Sequence, residues 1–328
     1  MAHVPYNITV NDAETGKSYT YDANMTIATA DDGLAFYISQ LSTLESKIYE
    51  AKYPSIRYAE FVPVDMSQPE WIDSVNYISY DAVTMGKFIG TAADDLPQSE
   101  INASISNIPV FYGGNSYGYS LDELRKSQQM RIPLDVTKGR MSYRGFQEHA
   151  QRVAYFGDSD RGITGLFNNA NVALDNSTVN WATATGAEIV EDMNSLLVEV
   201  WTNSAETHVP NTFLMPNTKY AQISSQRMDS GTDTTVLEFF KKNNLYTSLT
   251  GQPLDVQSVQ QLNTAAADGD GRMMAYEKNA DNLVMHMPIM WRALAPQPKN
   301  LRVNVPAEYK FGGVEFRYPG SAAYRDDL

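Results

Sequence analysis

The segment that best predicts the fold is residues 135–156, DVTKGRMSYRGFQEHAQRVAYF, where apolar or small side chains recur at alternating intervals of three and four. That spacing places them along one stripe of an α-helix. The stripe consists of Val136, Gly139, Tyr143, Phe146, Ala150 and Val153. The opposite side carries Arg140, Arg144, Glu148 and Arg152. Charges four residues apart support a helix through ion pairs. At about 1.5 Å of rise per residue, the segment predicts a rod roughly 33 Å long, which would form the spine of a domain.

Two segments upstream of this helix predict a long β-hairpin. Residues 72–83 alternate between two faces in the manner of a strand, and residues 104–112, SISNIPVFY, return. Between them lie about twenty residues with little sustained apolar pattern, and connections of that length are usually functional or mobile. We therefore expect residues 71–112 to project from the body as a hairpin. The alternative is a hairpin folded flat on its own domain.

The first residues predict an extended arm followed by one helix. Residues 1–30 are polar, and Asp31 and Asp32 can cap a helix that Pro54 ends. The apolar stripe of this helix consists of Leu34, Ile38, Leu41, Leu44, Ile48 and Ala51. A lone amphipathic helix behind an extended arm has no local core to cover, so we expect it to pack on its own body or on a neighbouring copy. Residues 56–66, IRYAEFVPVDM, follow as a predicted strand.

The rest of the chain mixes helices and strands without regular alternation. A capping box at Ser120 and Glu123 opens a short helix, and residues 186–206 predict a longer one. Residues 210–223, PNTFLMPNTKYAQI, predict a strand that runs into a helix. The remaining predicted elements are a helix over 235–242 and strands over 254–259, 273–276, 283–288, 302–305 and 314–317. No repeat of fixed period is present, and the mixture predicts an α+β fold.

Composition excludes several classes of protein. The 328 residues include 39 acidic and 25 basic side chains, which give a formal net charge of −14, and no cysteine. Tight nucleic-acid binding needs a basic face, and only residues 111–162, with 8 basic and 6 acidic side chains, show even a slight basic excess. The lack of cysteine excludes disulfides, thiolate zinc sites and cysteine nucleophiles. The longest apolar stretches, such as 282–290, contain histidine or proline and are too short to span a membrane.

Few residues could carry chemistry. Residues 114–118, GNSYG, match the G-x-S-x-G pattern of a nucleophile elbow, with Ser116 as the candidate nucleophile. The upstream segment is a hairpin, however, and the sequence shows no acidic partner for any of the candidate histidines. A glycine-rich turn is therefore the simpler interpretation. Residues 268–271, DGDG, lack the later ligands of a calcium loop, which favours an ordinary turn. We therefore predict no catalytic residue, no cofactor and no metal site.

Four stretches of the chain carry a resemblance to a known family. They are YISYDAVTMGKFIGTAADDLPQSE (77–100), GGNSYGYSLDELR (113–125), FGDSDRGITGLFN (156–168) and EYKFGGVEFRYP (308–319). Taken in order, they resemble major capsid proteins of tailed double-stranded DNA bacteriophages. The order of the predicted elements extends this resemblance over nearly the whole chain, and NTFLMPNTKYAQI looks like the wall of that fold's axial domain.

The resemblance implies the tailed-phage major capsid fold and a division of the chain. The segments are an N-arm with an amphipathic helix (1–55), a peripheral-domain strand (56–70), an extended loop or E-loop (71–112), the peripheral domain with its spine helix (113–169), the axial domain (170–290) and C-terminal strands that complete the body (291–328). The assembly residues implied for the E-loop are Trp71, Tyr77, Tyr80, Asp94, Asp95, Leu96 and Pro97. Those implied for the N-arm helix are Leu34, Ile38, Leu41 and Ile48, and those for the spine helix are Tyr143, Phe146 and Val153.

The function implied by the resemblance is structural. Copies of the chain would self-assemble as hexamers and pentamers into an icosahedral shell around double-stranded DNA. Scaffold, portal and decoration proteins are further candidate partners, contact with packaged DNA would be weak and non-specific, and no membrane is involved. The shell would be assembled in the cytoplasm of the bacterial host and become the virion capsid. An encapsulin-like nanocompartment shell is the nearest alternative, and a serine hydrolase around Ser116 is the minor one.

Overall fold

The structure is a computed structural model that describes residues 6–11, 18–23, 54–83, 100–123, 125, 134–229 and 231–328. The chain divides into two units, Met1–Pro54 and Ser55–Leu328. In the first unit, strands β1 (Tyr6–Asn11) and β2 (Ser18–Ala23) pair antiparallel. The predicted N-arm helix, with Leu34, Ile38, Leu41 and Ile48, lies outside the described residues.

The segment that precedes the hairpin differs from its prediction as a strand over 56–66. A single helical turn, α1 (Tyr58–Phe61), comes first, and only Val64–Asp65 form a strand, β3. Tyr58 and Phe61 are three residues apart and both are buried. A helical turn directs both rings into the same core, whereas an extended strand would send them to opposite faces.

The predicted hairpin is confirmed, and its second strand is longer than expected. Strand β4 (Ser74–Val83) pairs antiparallel with the first part of β5 (Glu100–Ser120). The rest of β5 pairs antiparallel with β13 (Arg302–Gly312). Strands β11 (Ile289–Ala293) and β12 (Gln297–Lys299) pair with β13 on its other side. One sheet therefore connects the hairpin to the C-terminal strands.

The prediction of a glycine turn at 114–118 is wrong, because these residues lie inside β5. Glycine is needed here for close approach of the neighbouring strand. A Cβ on Gly118 would lie 2.8 Å from the carbonyl oxygen of Val303, and one on Gly114 would lie 2.9 Å from that of Ala307. These glycines therefore let β13 lie close against β5, which a larger residue would prevent.

The helix predicted over 135–156 is confirmed as α2 (Leu134–Phe156). Phe146, Ala150 and Val153 are at most 2% exposed and belong to the larger apolar core. On the other side of the helix, Arg144 pairs with Glu148 at 2.9 Å. No helix within the described part of the chain is both long and apolar enough to cross a lipid bilayer.

Two helix starts follow the capping-box pattern. The amide of Glu123 donates to the hydroxyl of Ser120 at 3.1 Å, and the amide of Ser120 donates to the Glu123 carboxylate at 2.9 Å. Thr185 and Glu188 make the same reciprocal pair at the start of α3 (Gly186–Asn203). Each box satisfies backbone amides that have no partner inside the helix.

A second sheet has its own apolar core. Its strand order is β6-β15-β9-β7-β8. The strands are β6 (Ala173–Asn176), β7 (Thr212–Pro216), β8 (Asp255–Val259), β9 (Met273–Tyr276) and β15 (Ala322–Asp326). The helices that accompany α3 are α4 (Asn217–Ser225), α5 (Val236–Lys242) and α6 (Leu245–Thr250). The strand and helix predicted over 210–223 are thus confirmed as β7 and α4, whereas β6, β15 and α6 had no prediction.

A three-stranded sheet, ordered β14-β10-β3, joins the start of the chain's second unit to its end. Strand β10 (Leu283–His286) pairs antiparallel with β14 (Val314–Phe316) and parallel with β3. Short 3-10 helices occupy Ser159–Arg161, Gln260–Thr264 and Pro319–Ser321. Among the described residues of the second unit, helices thus combine with three separate sheets, and the predicted α+β class is confirmed.

Candidate assembly surfaces

The hairpin of β4 and β5 exposes an apolar face. Ile78 and Ile105 lie directly opposite each other in the ladder, and Tyr80 lies two residues along β4 on the same face. The exposed fractions of Ile78, Ile105 and Tyr80 are 54%, 70% and 71%. We call these three residues the hairpin patch. When a partner covers a contiguous apolar group of this kind, the removal of apolar surface from water lowers the free energy of the pair.

The structure separates the residues predicted for the E-loop. Tyr80 belongs to the hairpin patch, and Trp71, 81% exposed, stands just before β4. Tyr77 is half-buried on the opposite face of β4. Asp94, Asp95, Leu96 and Pro97 lie outside the described residues. Ile105 was not predicted as a contact residue. The alternation of side chains within SISNIPVFY does indicate which residues share one face of that strand with Ile105.

An ion-pair cluster fastens the base of the hairpin to the tail strands. Arg292 in β11 donates to the two carboxylate oxygens of Glu70 at 3.1 and 3.0 Å and to Glu308 in β13 at 2.8 Å. The hydroxyl of Tyr112 in β5 donates to the same Glu308. Hydrogen bonds from Tyr112 and from Arg292 lower the pKa of Glu308. The cluster thus joins the segment before β4 to three strands of the sheet.

A second ion pair lies at the first residues of the hairpin. The Lys310 ammonium is 3.0 Å from the carboxylate of Asp73. Lys310 is only 5% exposed, whereas the Asp73 side chain is 95% exposed. The backbone carbonyl of Asp73 also accepts the amide of Val110 at 2.9 Å. Because a buried ammonium needs an anionic partner, Lys310 holds Asp73 in place where the hairpin leaves the body.

Aromatic side chains hold α2 against the same sheet. The ring centroids of Phe146 and Tyr309 are 5.0 Å apart, and those of Tyr143 and Trp291 are 5.5 Å apart. His149 Nδ1 lies 2.9 Å from the Tyr309 hydroxyl. Burial, together with two nearby arginines, lowers the pKa of His149. The residues predicted for the spine helix, Tyr143, Phe146 and Val153, thus face the interior and position α2 beneath the base of the hairpin.

The geometry around Ser116 does not form a nucleophile elbow. Ser116 is exposed within β5, opposite Pro306 in β13. An elbow needs a tight turn from strand to helix, and residues 114–118 are extended. The described histidines contact other groups: His149 contacts Tyr309, His208 contacts Glu277, and His286 contacts Asp65 and Glu315. Two histidines therefore have acidic partners, which their sequence context did not reveal.

The second sheet contains two buried arginines that had no prediction. Arg272 donates to the two carboxylate oxygens of Asp326 at 2.6 Å. Arg325 pairs with Asp192 at 2.7 Å and with Glu199 at 3.1 Å. Both pairs tie β15 to distant parts of the chain, the first to the segment before β9 and the second to α3.

The DGDG segment forms a turn, as predicted, with Gly269 in the left-handed region at a φ of 93°. The carboxylates of Asp268, Asp270 and Asp327 lie within 4.8 Å of one another at the surface. Exposed acidic groups are common in so acidic a chain, and this cluster supports no metal assignment.

Comparisons with known proteins point to one family. A family model described as Major capsid protein matches residues 85–328. A structure described as the capsid of Myoviridae phage XM1 has a TM-score of 0.76 and 15% identity, with 88% of this chain and 98% of that chain covered. A chain from Mycobacterium phage Ogopogo has a TM-score of 0.59 and 10% identity, with 89% and 98% covered. The capsid of a native GTA particle computed with C5 symmetry has a TM-score of 0.58 and 14% identity, with 93% and 99% covered. No curated protein matches the sequence.

Proposed function

The chain belongs to the major capsid protein family and has the tailed-phage capsid fold that its sequence resemblance implied, and we propose that its copies close into an icosahedral shell around the double-stranded DNA genome of a tailed bacteriophage. Hexamers and pentamers are the proposed building units. The similar GTA capsid structure, which was computed with C5 symmetry, supports the five-fold ring. The observation that carries the proposal is the hairpin patch, which is exposed on an arm whose base is fastened to the body.

We assign the parts of the subunit along the boundaries predicted from the sequence. They are the N-arm (1–55), the peripheral domain (56–70 and 113–169), the E-loop (71–112), the axial domain (170–290) and the completing strands (291–328). Two separate apolar cores support a division between peripheral and axial domains, one around α2 and the other around α3. In this assignment, β15 of the C-terminal segment belongs to the sheet of the axial domain. Strand β10, which pairs with β3, belongs to the peripheral domain.

The proposed contact between copies is heterologous. The hairpin patch of one copy covers a different surface on its neighbour, and the rotation between copies closes a ring. Full burial of an isoleucine is worth about 1.5–3 kcal/mol relative to exposure. One such contact barely offsets the loss of translational and rotational freedom on association. Each copy in a ring contributes its hairpin patch to one neighbour and binds the hairpin patch of the other neighbour. Every copy is therefore held by two contacts at once, which strengthens the assembly.

The other predicted contact residues extend this arm. Trp71 and Tyr80 are exposed, as contact residues of an arm must be. The N-arm helix and the loop tip at 94–97 take the same role in the proposal from the family resemblance. Anchoring of the arm at Glu70 and Asp73 supports the role, because an arm held in place loses less conformational entropy when it docks.

The proposed role is structural and not catalytic. The shell is assembled in the host cytoplasm and becomes the virion capsid. A net charge of −14 opposes strong binding to phosphates, so the contact of the chain with the packaged genome is weak and non-specific in this proposal. Scaffold, portal and decoration proteins are the further partners of the proposal.

Negative-stain electron microscopy, with size-exclusion light scattering, on the chain expressed alone tests this proposal. Closed shells, or rings of five and six copies, support it. Nuclease-protected nucleic acid inside the particles supports a phage shell, whereas a protein cargo would favour a nanocompartment. A chain that stays monomeric at every concentration and salt condition would contradict self-assembly of the chain on its own.

A further inference from the structure

His286 lies at the point where three strands meet. It is the last residue of β10, the middle strand of the β14-β10-β3 sheet, and it has no exposed surface. Its Nδ1 is 3.0 Å from a carboxylate oxygen of Asp65 in β3, and its Nε2 is 2.6 Å from a carboxylate oxygen of Glu315 in β14. The Glu315 side chain is 1% exposed. One buried imidazole thus connects acidic groups from both flanking strands.

Each of these two contacts needs a hydrogen between its heavy atoms. A carboxylate only accepts hydrogen bonds, and a neutral imidazole has one N–H and one lone pair. Burial raises the pKa of Asp65, but hydrogen bonds from Ser67, Gln68 and His286 outweigh it and hold this pKa well below its usual range. Asp65 is therefore ionised, and Nδ1 carries a hydrogen. The 2.6 Å contact with Glu315 needs a second hydrogen, either on Nε2 or on the carboxyl group.

The other charged groups nearby do not replace this second hydrogen. The Nε of Arg317 is 3.5 Å from the outer oxygen of Glu315, and neither atom has a hydrogen-bond partner among the described residues. Lys310 in the adjoining strand β13 is directed to Asp73. Without its hydrogen, the contact would set a buried carboxylate against an imidazole lone pair, and an unsatisfied buried charge is costly.

We propose that Asp65, His286 and Glu315 form a proton-dependent clamp, which joins β3 to β10 and β14 when both contacts hold a hydrogen and loosens this sheet when rising pH removes one. Strand β3 is followed in the chain by Glu70 and Asp73, so the clamp lies next to the base of the hairpin. Its effect on assembly rests on the proposed function, whereas the clamp itself is a property of a single chain.

The direction of the pH dependence follows from the number of bound protons. In an unfolded chain, histidine titrates near pH ~6.5 and glutamate near pH ~4.3. With a hydrogen in each of its two contacts, the clamp holds one proton more than the same three residues do in an unfolded chain above about neutral pH. Stability falls with rising pH wherever the folded state binds the extra proton. The equilibrium constant for opening this sheet should rise by up to about tenfold per pH unit until the clamp loses that proton.

Hydrogen exchange on the full chain tests the clamp. The amide of Met285 donates to the carbonyl of Pro63, and the amide of Met287 donates to that of Asp65, so both report on the β3–β10 contact. Their protection factors, corrected for the intrinsic pH dependence of exchange, should fall by up to about tenfold per unit as the pH rises above about 6.5.

Glu315→Gln should remove this slope. A carboxamide can donate to the lone pair of a neutral imidazole, so the contact then needs no extra proton. Glu277→Gln is the matched control, because Glu277 contacts Nδ1 of His208 at 2.7 Å and no second carboxylate is described at that ring. This control variant should keep the slope of the unmodified chain.

Two results would overturn the clamp: protection that stays constant with pH in the unmodified chain, or a slope that persists in Glu315→Gln. If Glu315→Gln does not fold, nitrogen NMR of the unmodified chain with labelled histidine decides the question. The clamp requires a hydrogen on Nδ1 of His286 and a second hydrogen shared between Nε2 and Glu315 at neutral pH. A lone pair on Nδ1, or an Nε2 lone pair that shares no hydrogen with Glu315, would refute it. These readouts need no assembled particle, so they are independent of the assembly test.

Discussion

Ile78 and Ile105 face each other across the β4–β5 ladder, with 54% and 70% of their surfaces exposed. Opposite residues of an antiparallel pair share a face, so the two side chains form one apolar surface that Tyr80 extends. An exposed isoleucine pair on the face of a hairpin is an aggregation liability for a protein that acts alone. It is an advantage for a subunit that must dock on a copy of itself.

Replacement of both isoleucines by serine should abolish assembly and leave the chain folded. Each buried isoleucine contributes about 1.5–3 kcal/mol, so their loss from every contact should raise the concentration needed for assembly by roughly a hundredfold or more. Exposed substitutions change the stability of a single chain by only about 0.5 kcal/mol. Light scattering and electron microscopy measure assembly, and circular dichroism measures folding.

The matched control, Ile78→Val with Ile105→Val, keeps the apolar surface and should still assemble. Normal particles from the serine variant would refute the assigned role.

Arg292→Lys should loosen the base of the hairpin without unfolding the chain. A lysine ammonium cannot hold Glu70 and Glu308 in the forked geometry of a guanidinium, and exposed ion pairs add little to global stability. Hydrogen exchange over 66–76 should become faster, while the thermal midpoint should stay unchanged. Arg227→Lys, at an exposed ion pair 3.7 Å from Asp233, is the control and should not affect that segment. Equal exchange in Arg292→Lys and the unmodified chain would contradict the anchoring role.

The same anchor should weaken in acid. Hydrogen bonds from Tyr112 and Arg292 lower the pKa of Glu308 in the folded chain. A carboxyl group with a lowered pKa contributes stability above the pKa of the unfolded glutamate, about 4.3, and loses it as the pH falls through the folded value. Exchange over 66–76 should therefore be slowest near neutral pH, after correction for intrinsic rates, and should accelerate below about pH 4. Arg292→Lys should show a smaller change across this range.

Arg272→Met should destabilise the folded chain by about 3–5 kcal/mol in urea unfolding, because it leaves the Asp326 carboxylate buried without its partner. It also removes the donor to the Phe167 carbonyl. Asp326→Asn should cost less, since a carboxamide can still accept from the guanidinium. Arg272→Met combined with Asp326→Leu buries no charge and should recover part of the loss. A double variant whose loss equals the sum of the single losses would show that the two side chains are not coupled.

Gly118→Val should disrupt the contact between β5 and β13. The added Cβ would meet the Val303 carbonyl oxygen at 2.8 Å, and a backbone atom cannot move aside as a flexible side chain can. Overpacking of this kind costs about 1–3 kcal/mol. Gly320→Ala is the control, because a Cβ at Gly320 has no heavy atom within 4 Å. Thermal unfolding should show a lowered midpoint for Gly118→Val alone, and equal midpoints for both variants would exclude the close approach as the reason for glycine.

Regular periodicity made the helices and the hairpin predictable. The alternating spacing in 135–156 identifies α2 to within one residue, because a buried helix face repeats with the helical period. Period-2 alternation similarly predicts the two strands of the hairpin. The capsid fold itself could be expected only from the family resemblance, since no local pattern specifies how the sheets of the second unit are connected.

The errors lie where the deciding partner is remote in sequence. Glycines within 114–118 predict a turn, but the position of β13 shows that they allow close approach of a neighbouring backbone. Residues 56–66 alternate well enough for a strand, but Tyr58 and Phe61 both pack into one core. The candidate contact residues follow the same rule. Trp71 and Tyr80 are exposed, and their role as contact residues stays a prediction, whereas the pairing of Ile78 with Ile105 depends on the register of the hairpin.

Assembly of the unmodified chain should accelerate as the salt concentration rises from about 20 mM to about 0.3 M, because the Debye length shrinks from roughly 20 Å to about 6 Å over that range. Each copy carries a formal net charge of −14, so unscreened copies repel one another as they approach. The apolar hairpin patch is not weakened by added salt, and screening therefore acts mainly on the repulsion. Light scattering at fixed protein concentration gives the initial rate. The Ile78→Ser and Ile105→Ser double variant should stay unassembled at every salt concentration, which separates screening from general salting out. A rate that is unchanged or falls with salt would show that repulsion between like charges does not limit assembly.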